Sequence, residues 1–376
     1  MKTLGLYLHI PFCRSKCLYC DFCSFPKRDT ELHAAYTTAL CNDLKSRASD
    51  CTSHTVDTVY LGGGTPTLLS PALLNQILDT IHRCYRVSQN AEITLECNPA
   101  TADRDAMFSL RRAGFNRISI GLQSTHAKEL QALGRLHSFS DFESTFSDAR
   151  DAGFENISAD LMFGIPHQTA ESYLTSIQRL SELSPEHISA YGLTVEPDTP
   201  FGKMGDRLIL PDEEETEKMY FVGIALLSSN GYTQYEISNF AKHGYESRHN
   251  LKYWNCEEYL GFGPAAYSDF GGSRFGNSRD LVSYVEGKKI LAESEAPSSM
   301  ERINEYVMLR LRLVEGLDTE AFFNRFGVNF DPLFAPVLHR YEKVGFVRKT
   351  PHGWAFTAKG FYVSNHILSE LLDFSK

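Results

Sequence analysis

Short apolar runs recur along the first half of the chain, each separated from the next by enough residues for a helix. The runs cover residues 4–10, 56–61, 92–97, 117–123, 156–163 and 187–193. Ser70 and Pro71, ahead of an apolar stripe at helical spacing, are typical of a helix start. Short buried strands that alternate with helices are the pattern of parallel β/α units. The sequence therefore predicts an α/β fold whose six units form a partial (β/α)6 barrel.

The second half of the chain has a different pattern, and we predict three units in all. These are a barrel over residues 1–205, an extension over residues 206–295 and a C-terminal domain over residues 296–376. Ser298 and Glu301 form a capping box ahead of a helix, and two short strands flank His352 and Gly353. Helices followed by two short strands of this kind, which can pair as a hairpin, predict a winged-helix-like domain. Because the chain is acidic, we expect this domain to act as a lid or in docking rather than in DNA binding.

Residues suited to chemistry follow several of the apolar runs. In parallel β/α barrels the active groups gather at the C-terminal ends of the strands. A cysteine-rich segment follows the first run, the glycine-rich segment 62–67 follows the second, and Glu96, Gln123 and Asp160 lie late in the next three. The pattern therefore places all of these candidates at one mouth of the barrel.

Cys13, Cys17 and Cys20 make up the cysteine-rich segment. Three thiolates at this spacing can ligate three of the four irons of an iron–sulfur cluster and leave the last iron open to an outside ligand. A structural zinc site needs four ligands, usually from two separated pairs, and the other cysteines form no second C-x-x-C. The odd total of nine cysteines favours a reducing compartment over a disulfide scaffold. We therefore predict a [4Fe-4S] site and expect Cys23 not to belong to it.

Charge and hydropathy exclude some functions. The formal net charge is −10 and basic residues form no run, which argues against nucleic acid as a partner. The first apolar run is short, contains His9 and lacks a small-residue cleavage site, so it is a buried strand rather than a signal peptide. No stretch approaches the ~18 apolar residues needed to span a bilayer. We expect a soluble, cytoplasmic protein, and peripheral contact with membrane enzymes is compatible with this composition.

Five motifs in order resemble the oxygen-independent coproporphyrinogen oxidase family of radical S-adenosylmethionine (SAM) proteins. The resemblance runs from Tyr7 to about residue 275 and so covers most of the chain. The motifs are Tyr-Leu-His-Ile-Pro-Phe-Cys, Gly-Gly-Gly-Thr-Pro-Thr, Glu-Cys-Asn-Pro, Ile-Gly-Leu-Gln-Ser and Asp-Leu-Met-Phe-Gly-Ile-Pro. The family likeness implies that SAM chelates the open iron of the cluster and is cleaved reductively to a radical.

The same resemblance implies a set of SAM contacts. They are Tyr7, Tyr19, Gly63, Gly64, Thr65, Glu96, Gln123, Arg135 and Asp160, with Thr194 and Tyr267 as further candidates and a second SAM as an option. The residue types suit the ligand. Carboxylates accept from a ribose diol or an ammonium, amide and guanidinium groups hold a carboxylate, and glycines let the backbone approach a ligand closely.

The branch of the family is indicated by departures from the oxidases. The oxidases carry a long extension before the motif tyrosine and a further cysteine two residues after the triad, whereas here six residues precede Tyr7 and position 22 is Phe. Residues 248–254 contain His-Asn-x-x-Tyr-Trp, which resembles the mark of the haem-chaperone branch.

The resemblance implies that His249 ligates haem iron, while Tyr253 and Trp254 offer flat apolar surface and Arg248 or Lys252 meets a propionate. From the residues alone, an ordinary hydrogen-bonded histidine with core aromatics is the competing interpretation.

Three functions follow from these patterns. The first is a haem chaperone that carries a [4Fe-4S] cluster and SAM and passes haem from a donor to acceptor proteins such as respiratory enzymes. The second is a coproporphyrinogen III dehydrogenase, which removes hydrogen from two propionate side chains. The third is a barrel that serves only as an interaction module, and the intact cysteine triad argues against it. The sequence favours the first.

Overall fold

Six parallel strands form the centre of the fold. The structure is a computed structural model that describes residues 2–26, 29–288 and 290–372. The strands are β1 Lys2–Ile10, β2 His54–Gly63, β3 Val87–Cys97, β4 Arg117–Gln123, β5 Ile157–Phe163 and β6 His187–Gly192. Each overlaps one predicted run, and neighbouring strands pair in parallel in chain order. The predicted six-unit partial barrel is confirmed.

Helices between these strands cover the outside of the barrel. They are α1 Thr30–Arg47, α2 Pro71–Cys84, α3 Arg104–Ala113, α4 Ala127–Ala132, α5 Phe139–Asp151 and α6 Ala170–Leu183. The predicted start of α2 is confirmed, since the Ser70 side chain accepts from the Leu73 N–H and Pro71 is the first helical residue. All seven residues of β4 are buried, as expected for a strand covered on both faces.

Residues beyond β6 extend the sheet at both edges. The added strands are β7 Thr233–Gln234, β8 Asn239–Ala241, β9 Tyr259–Phe262, β10 Tyr267–Phe270, β11 Ser273–Asn277 and β12 Leu291–Glu295. The added helices are α7 Pro200–Met204, α8 Glu213–Ser229, α9 Arg248–Trp254 and α10 Leu281–Val285. The strand order is β12-β11-β10-β9-β1-β2-β3-β4-β5-β6-β8-β7. The sheet is therefore open, and it was not predicted that one segment would supply both of its edges.

The C-terminal part combines helices with a small antiparallel sheet. Its elements are α11 Ser299–Arg310, β13 Leu317–Asp318, α12 Thr319–Phe326, α13 Asp331–Lys343, β14 Val347–Thr350, β15 Gly353–Phe356, α14 Ala358–Tyr362 and α15 Ser364–Leu371. The sheet order is β13-β15-β14, and the predicted capping box of Ser298 and Glu301 is present. This arrangement is winged-helix-like, as predicted. The outer ends of the first and last predicted units, residue 1 and residues 373–376, lie outside the described residues.

The C-terminal part packs at the end of the barrel opposite the mouth. Lys2 and Thr3, where β1 begins, line the same cleft as Arg302 and Arg325. Arg325 Nη2 also donates to the backbone oxygen of Cys256 at 2.8 Å, just after α9. The domain lies against the N-terminal ends of the strands in this arrangement, and its role as a lid stays a prediction. A docking role stays a prediction. Among the residues that the structure describes, no helix has the length and apolar composition needed to cross a membrane.

Candidate functional site

The cysteine triad lies on the loop between β1 and α1. The Cys13 N–H donates to the Phe25 oxygen at 3.0 Å, and the Cys20 N–H donates to the Cys17 oxygen at 3.2 Å, which folds the loop into a turn. Burial raises the pKa of the Cys13 and Cys20 thiols, and the neighbouring Cys17 thiol raises both further. The three sulfurs therefore share one electrostatic environment, as a cluster site requires.

The three thiols of the triad are candidate ligands for three separate irons of one cluster. Within the described residues, no three histidine, cysteine or acidic side chains converge on a single metal position. Ligands that hold different irons of a cluster stand further apart than the ligands of one ion. Three separate thiolates on one loop suit three corners of a [4Fe-4S] cluster, and this ligand assignment stays a prediction.

Cys23 faces a different part of the molecule. Its sulfur contacts the Arg279 oxygen at 3.9 Å, and its backbone oxygen accepts from His9 Nε2 at 2.7 Å. Burial raises the pKa of its thiol, while the charges of Arg279 and Lys16 oppose that shift. The surroundings of Cys23 favour its exclusion from the cluster, which stays a prediction.

Two side chains donate hydrogen bonds to sulfurs of the triad. Thr65 Oγ1 lies 3.7 Å from Cys13 Sγ, and Arg135 Nη1 lies 3.5 Å from Cys17 Sγ. Asn98 joins the two donors, since its Nδ2 donates to Thr65 Oγ1 at 2.7 Å and its Oδ1 accepts from Arg135 Nη2 at 2.7 Å. Hydrogen bonds to cluster sulfurs tune the reduction potential. Sequence reasoning missed Asn98, although it lies in the motif Glu-Cys-Asn-Pro.

The glycine-rich segment packs against the chain that enters the cysteine loop. The Gly64 N–H donates to the Ile10 oxygen at 2.9 Å, and the Thr65 N–H donates to the Phe12 oxygen at 2.7 Å. A Cβ on Gly64 would lie 2.5 Å from the Phe12 oxygen. The absence of side chains thus lets β2 approach the cysteine loop, whereas the sequence suggested that it lets the backbone approach SAM. Contact between this segment and SAM stays a prediction.

Glu96 is held from two sides at the end of β3. Tyr60 donates its hydroxyl to Oε1 at 2.8 Å, and the Gly63 N–H donates to Oε2 at 3.0 Å. Burial raises the Glu96 pKa to about 7, although the Tyr60 hydrogen bond opposes the shift, and the charge of Asp160 raises it further. A cationic ligand at this carboxylate would favour its ionised form. The sequence analysis did not predict a role for Tyr60. Side chains alternate between the two faces of β2, and this alternation could have indicated it.

Asp160 and Gln123 lie on the same inner wall. Asp160 accepts from Ser119 Oγ at 3.3 Å, and burial raises its pKa to about 6 against the lowering effect of Arg117. Gln123 ends β4 at a φ of +69° and accepts from the Tyr191 hydroxyl at 3.1 Å. A left-handed backbone is uncommon for a residue other than glycine and often marks a functional position. The structure brings both predicted side chains to the mouth.

Two of the remaining candidates, Tyr19 and Tyr7, lie inside the barrel. Tyr19 has Arg135, Cys17, Cys20 and Asp160 as charged neighbours, so the structure places it among the predicted site residues. Tyr7 bonds through its hydroxyl to His9 Nδ1 at 3.0 Å, deeper in the barrel.

Thr194 and Tyr267 lie at the periphery. Thr194 is exposed beyond β6, and Tyr267 is 48% exposed at the start of β10. The structure does not bring these two together with the triad.

His249 lies at the opposite end of the barrel and is only 1% exposed. Its Nδ1 pairs with Thr58 Oγ1 at 2.9 Å, and its Nε2 pairs with the Tyr253 hydroxyl at 2.9 Å. Burial lowers its pKa to about 3, with the charges of Lys252 and Arg117 adding to the shift. Ligation of haem iron needs a free nitrogen lone pair, and neither ring nitrogen offers one. Ligation of haem iron by His249 would therefore have to replace one of these two hydrogen bonds, and its ligand role stays a prediction.

The predicted propionate partners are engaged as well. Lys252 Nζ pairs with Asp57 Oδ1 at 2.8 Å and with Glu257 Oε2 at 3.0 Å, and Lys252 is buried. Arg248 Nη1 donates to the Asn90 oxygen at 2.6 Å. His249 is buried and hydrogen-bonded, as in the competing interpretation, whereas Tyr253 and Trp254 are only partly buried.

The barrel, the cysteine triad on its first loop and the acidic groups at its mouth define a radical SAM protein. Residues 7–180 match the model of the Radical SAM superfamily, and residues 298–363 match the HemN C-terminal domain. The chain is 35% identical to the "Heme chaperone HemW" of Bacillus subtilis over 97% of this chain and 98% of the relative. It is 34% identical to the protein of that name from Escherichia coli over 99% of both chains. The chain belongs to the HemW family.

A solved structure shares nearly the whole fold. The structure titled "Coproporphyrinogen III oxidase (HemN) from Escherichia coli is a Radical SAM enzyme" matches with a TM-score of 0.88 and 26% identity. The match covers 99% of this chain and 91% of that one. The similarity therefore extends from the barrel through the C-terminal part.

Proposed function

We propose that this chain is a cytoplasmic haem chaperone that binds haem and passes it to acceptor proteins such as respiratory enzymes. The observation that carries the proposal is full-length identity of 35% to a relative named as a heme chaperone. The acidic net charge of −10 agrees with a protein partner or small ligand rather than a nucleic acid. Peripheral contact with membranes is part of the proposal only where the acceptor is a membrane enzyme.

The proposal includes a [4Fe-4S] cluster and SAM at the barrel mouth. Cys13, Cys17 and Cys20 would hold three irons, and the fourth iron would receive SAM. When bound, this pair supplies one-electron reductive chemistry. Thr65 and Arg135 donate to the sulfurs, and the Glu96 carboxylate, fixed by two donors, offers acceptor oxygens to a ribose or ammonium group.

Haem is the cargo in this proposal, and His249 is its proposed ligand. Both ring nitrogens of that residue are bonded, and moving the ring out would break contacts with Thr58 and Tyr253. Leaving such buried groups unpaired costs about 1–3 kcal/mol each. Haem ligation by His249 would therefore have to replace one of these hydrogen bonds with the bond to iron.

A second candidate is a coproporphyrinogen III dehydrogenase, and the similarity to the HemN structure favours it. Two features of this chain argue against it. The family pattern of that enzyme has a further cysteine at the position where Phe22 stands, and the neighbouring Cys23 is directed to Arg279 instead of the triad. If the chain is a haem chaperone, the radical chemistry of the barrel is auxiliary to haem transfer.

A haem titration tests the chaperone proposal. Anaerobically purified protein with reconstituted cluster is titrated with haem and followed by its absorption spectrum. We expect a distinct spectrum that saturates at about one haem per chain, because a carrier needs a defined site. An unrelated protein of similar charge and size, titrated in parallel, measures non-specific adsorption. A linear, unsaturated rise equal to that of the control protein would contradict the proposal.

A further inference from the structure

We infer that helix α9 fixes the position of Glu96 through the ring of Tyr60, so that His249 is a positioning residue for the SAM site. The inference rests on the proposed binding of SAM at the barrel mouth. It gives the His-Asn-x-x-Tyr-Trp segment a part in SAM binding, because the His249 ring supports Tyr60.

A continuous column of side chains connects α9 with the mouth. The His249 ring stacks on the Tyr60 ring, with centroids 5.1 Å apart and planes 25° apart. The Tyr60 hydroxyl then donates to Glu96 Oε1 at 2.8 Å. The stack limits rotation of the phenol ring and so directs its hydroxyl at the carboxylate. Loss of the His249 ring would remove this support, although the Tyr7 ring, with its centroid 6.2 Å from that of Tyr60, would remain.

Helix α9 is itself anchored to the lower part of the barrel. Glu92, in the first half of β3, accepts from the backbone N–H groups of Arg248 at 3.1 Å and His249 at 3.0 Å. A carboxylate at a helix N-terminus is favoured by the free N–H groups there. The His249 ring is then fixed by its bonds to Thr58 and Tyr253.

The contact between α9 and β1 leaves no spare room. A Cβ on Gly5 would lie 3.0 Å from Lys252 Cδ and 3.4 Å from His249 Cε1. The glycine at this position is therefore what allows α9 to approach the strand. The close approach at Gly5 and the bonds to Glu92 together hold α9 against the barrel, as a positioning element requires.

The test separates two contributions of His249: stacking of its flat ring on Tyr60, and the hydrogen bonds of its ring nitrogens. His249→Ala removes both, whereas His249→Phe keeps a flat ring under Tyr60 and removes only the hydrogen bonds. Tyr60→Phe removes the donor to Glu96. Tyr85→Phe is the matched control, because Tyr85 is a buried tyrosine whose hydroxyl donates to the Leu44 oxygen at 2.7 Å, away from the column.

We expect the affinity for SAM to depend on a flat ring at position 249 and on the hydroxyl of Tyr60. On anaerobic, cluster-loaded protein of matched iron content, the Kd for SAM should rise roughly tenfold in Tyr60→Phe and in His249→Ala, as for one lost hydrogen bond to a charged group. His249→Phe should keep a Kd near that of the parent, although its Tm falls. The double variant Tyr60→Phe/His249→Ala should be no weaker than Tyr60→Phe, because both changes act on one contact.

Several outcomes would overturn the inference. They include an unchanged Kd in Tyr60→Phe, an equal rise in Tyr85→Phe, or additive effects in the double variant. If His249→Ala does not fold, Tyr60→Phe against Tyr85→Phe decides. Absence of SAM binding in the parent would refute the proposed SAM site together with the inference.

Discussion

Alanine at Cys17 is expected to abolish the iron–sulfur cluster, whereas alanine at Cys23 is expected to leave it intact. Cys17 is the central member of the triad, raises the thiol pKa of both other members and accepts a hydrogen bond from Arg135. Removing one of three protein ligands leaves two irons exposed. Iron and acid-labile sulfide per chain after anaerobic reconstitution should therefore fall to background in Cys17→Ala, and likewise at Cys13 and Cys20.

Cys41→Ala is the control for the loss of a buried thiol. Cys41 is buried on α1 beside α2, and its sulfur contacts the Gln76 oxygen at 3.9 Å. It should keep the iron content of the parent, as should Cys23→Ala. Retention of the full cluster in Cys17→Ala, or its loss in Cys23→Ala, would show that the ligands are assigned wrongly.

Valine at Gly64 is expected to disrupt the cysteine loop rather than only to block SAM. A Cβ there would meet three backbone atoms of the chain that leads into the loop, at 2.5 to 2.9 Å. Backbone cannot rotate away as a side chain can, and overpacking of this kind costs about 1–3 kcal/mol or more. We expect a lower Tm and a several-fold loss of reconstituted iron in Gly64→Val.

Gly192→Ala provides the comparison. Gly192 also ends a strand of the barrel, but a Cβ there would meet only ring atoms of Phe163, the nearest at 3.1 Å. A ring can shift by a few tenths of an ångström, so iron content should stay near that of the parent. If Gly64→Val kept both its Tm and its cluster while losing SAM, the glycine segment would serve the ligand as the sequence suggested.

The barrel was predictable because each of its strands is a short apolar run of its own. β4 is buried along its whole length, so the sequence shows it without any partner. The edge strands of the sheet were not predictable, because they are too short or too exposed to stand out as apolar runs. β7 and β8 have two and three residues, and all five residues of β12 are exposed, so their hydrogen bonds rather than their side chains make them strands.

The parts of the site that depend on residues close together in the sequence, or on a position late in a strand, were predictable. The triad lies within eight residues, and Glu96 and Asp160 follow from their positions late in strands. Tyr60 and Asn98 were missed because they act on partners that only the fold brings near, such as Glu96 for the first and Thr65 for the second. The direction of the side chains in the His249 segment could not be predicted from the sequence, and the structure buries His249 and Lys252 while leaving Arg248 exposed.

Turnover of coproporphyrinogen III measures most directly whether this chain is a carrier or a dehydrogenase. Anaerobic, cluster-loaded protein is incubated with coproporphyrinogen III, SAM and a reductant, and protoporphyrinogen is measured against Cys17→Ala. A haem chaperone should form no more product than that variant, while the same preparation binds haem to saturation. Sustained formation of protoporphyrinogen, many molecules per cluster and absent in Cys17→Ala, would contradict the carrier and identify a dehydrogenase.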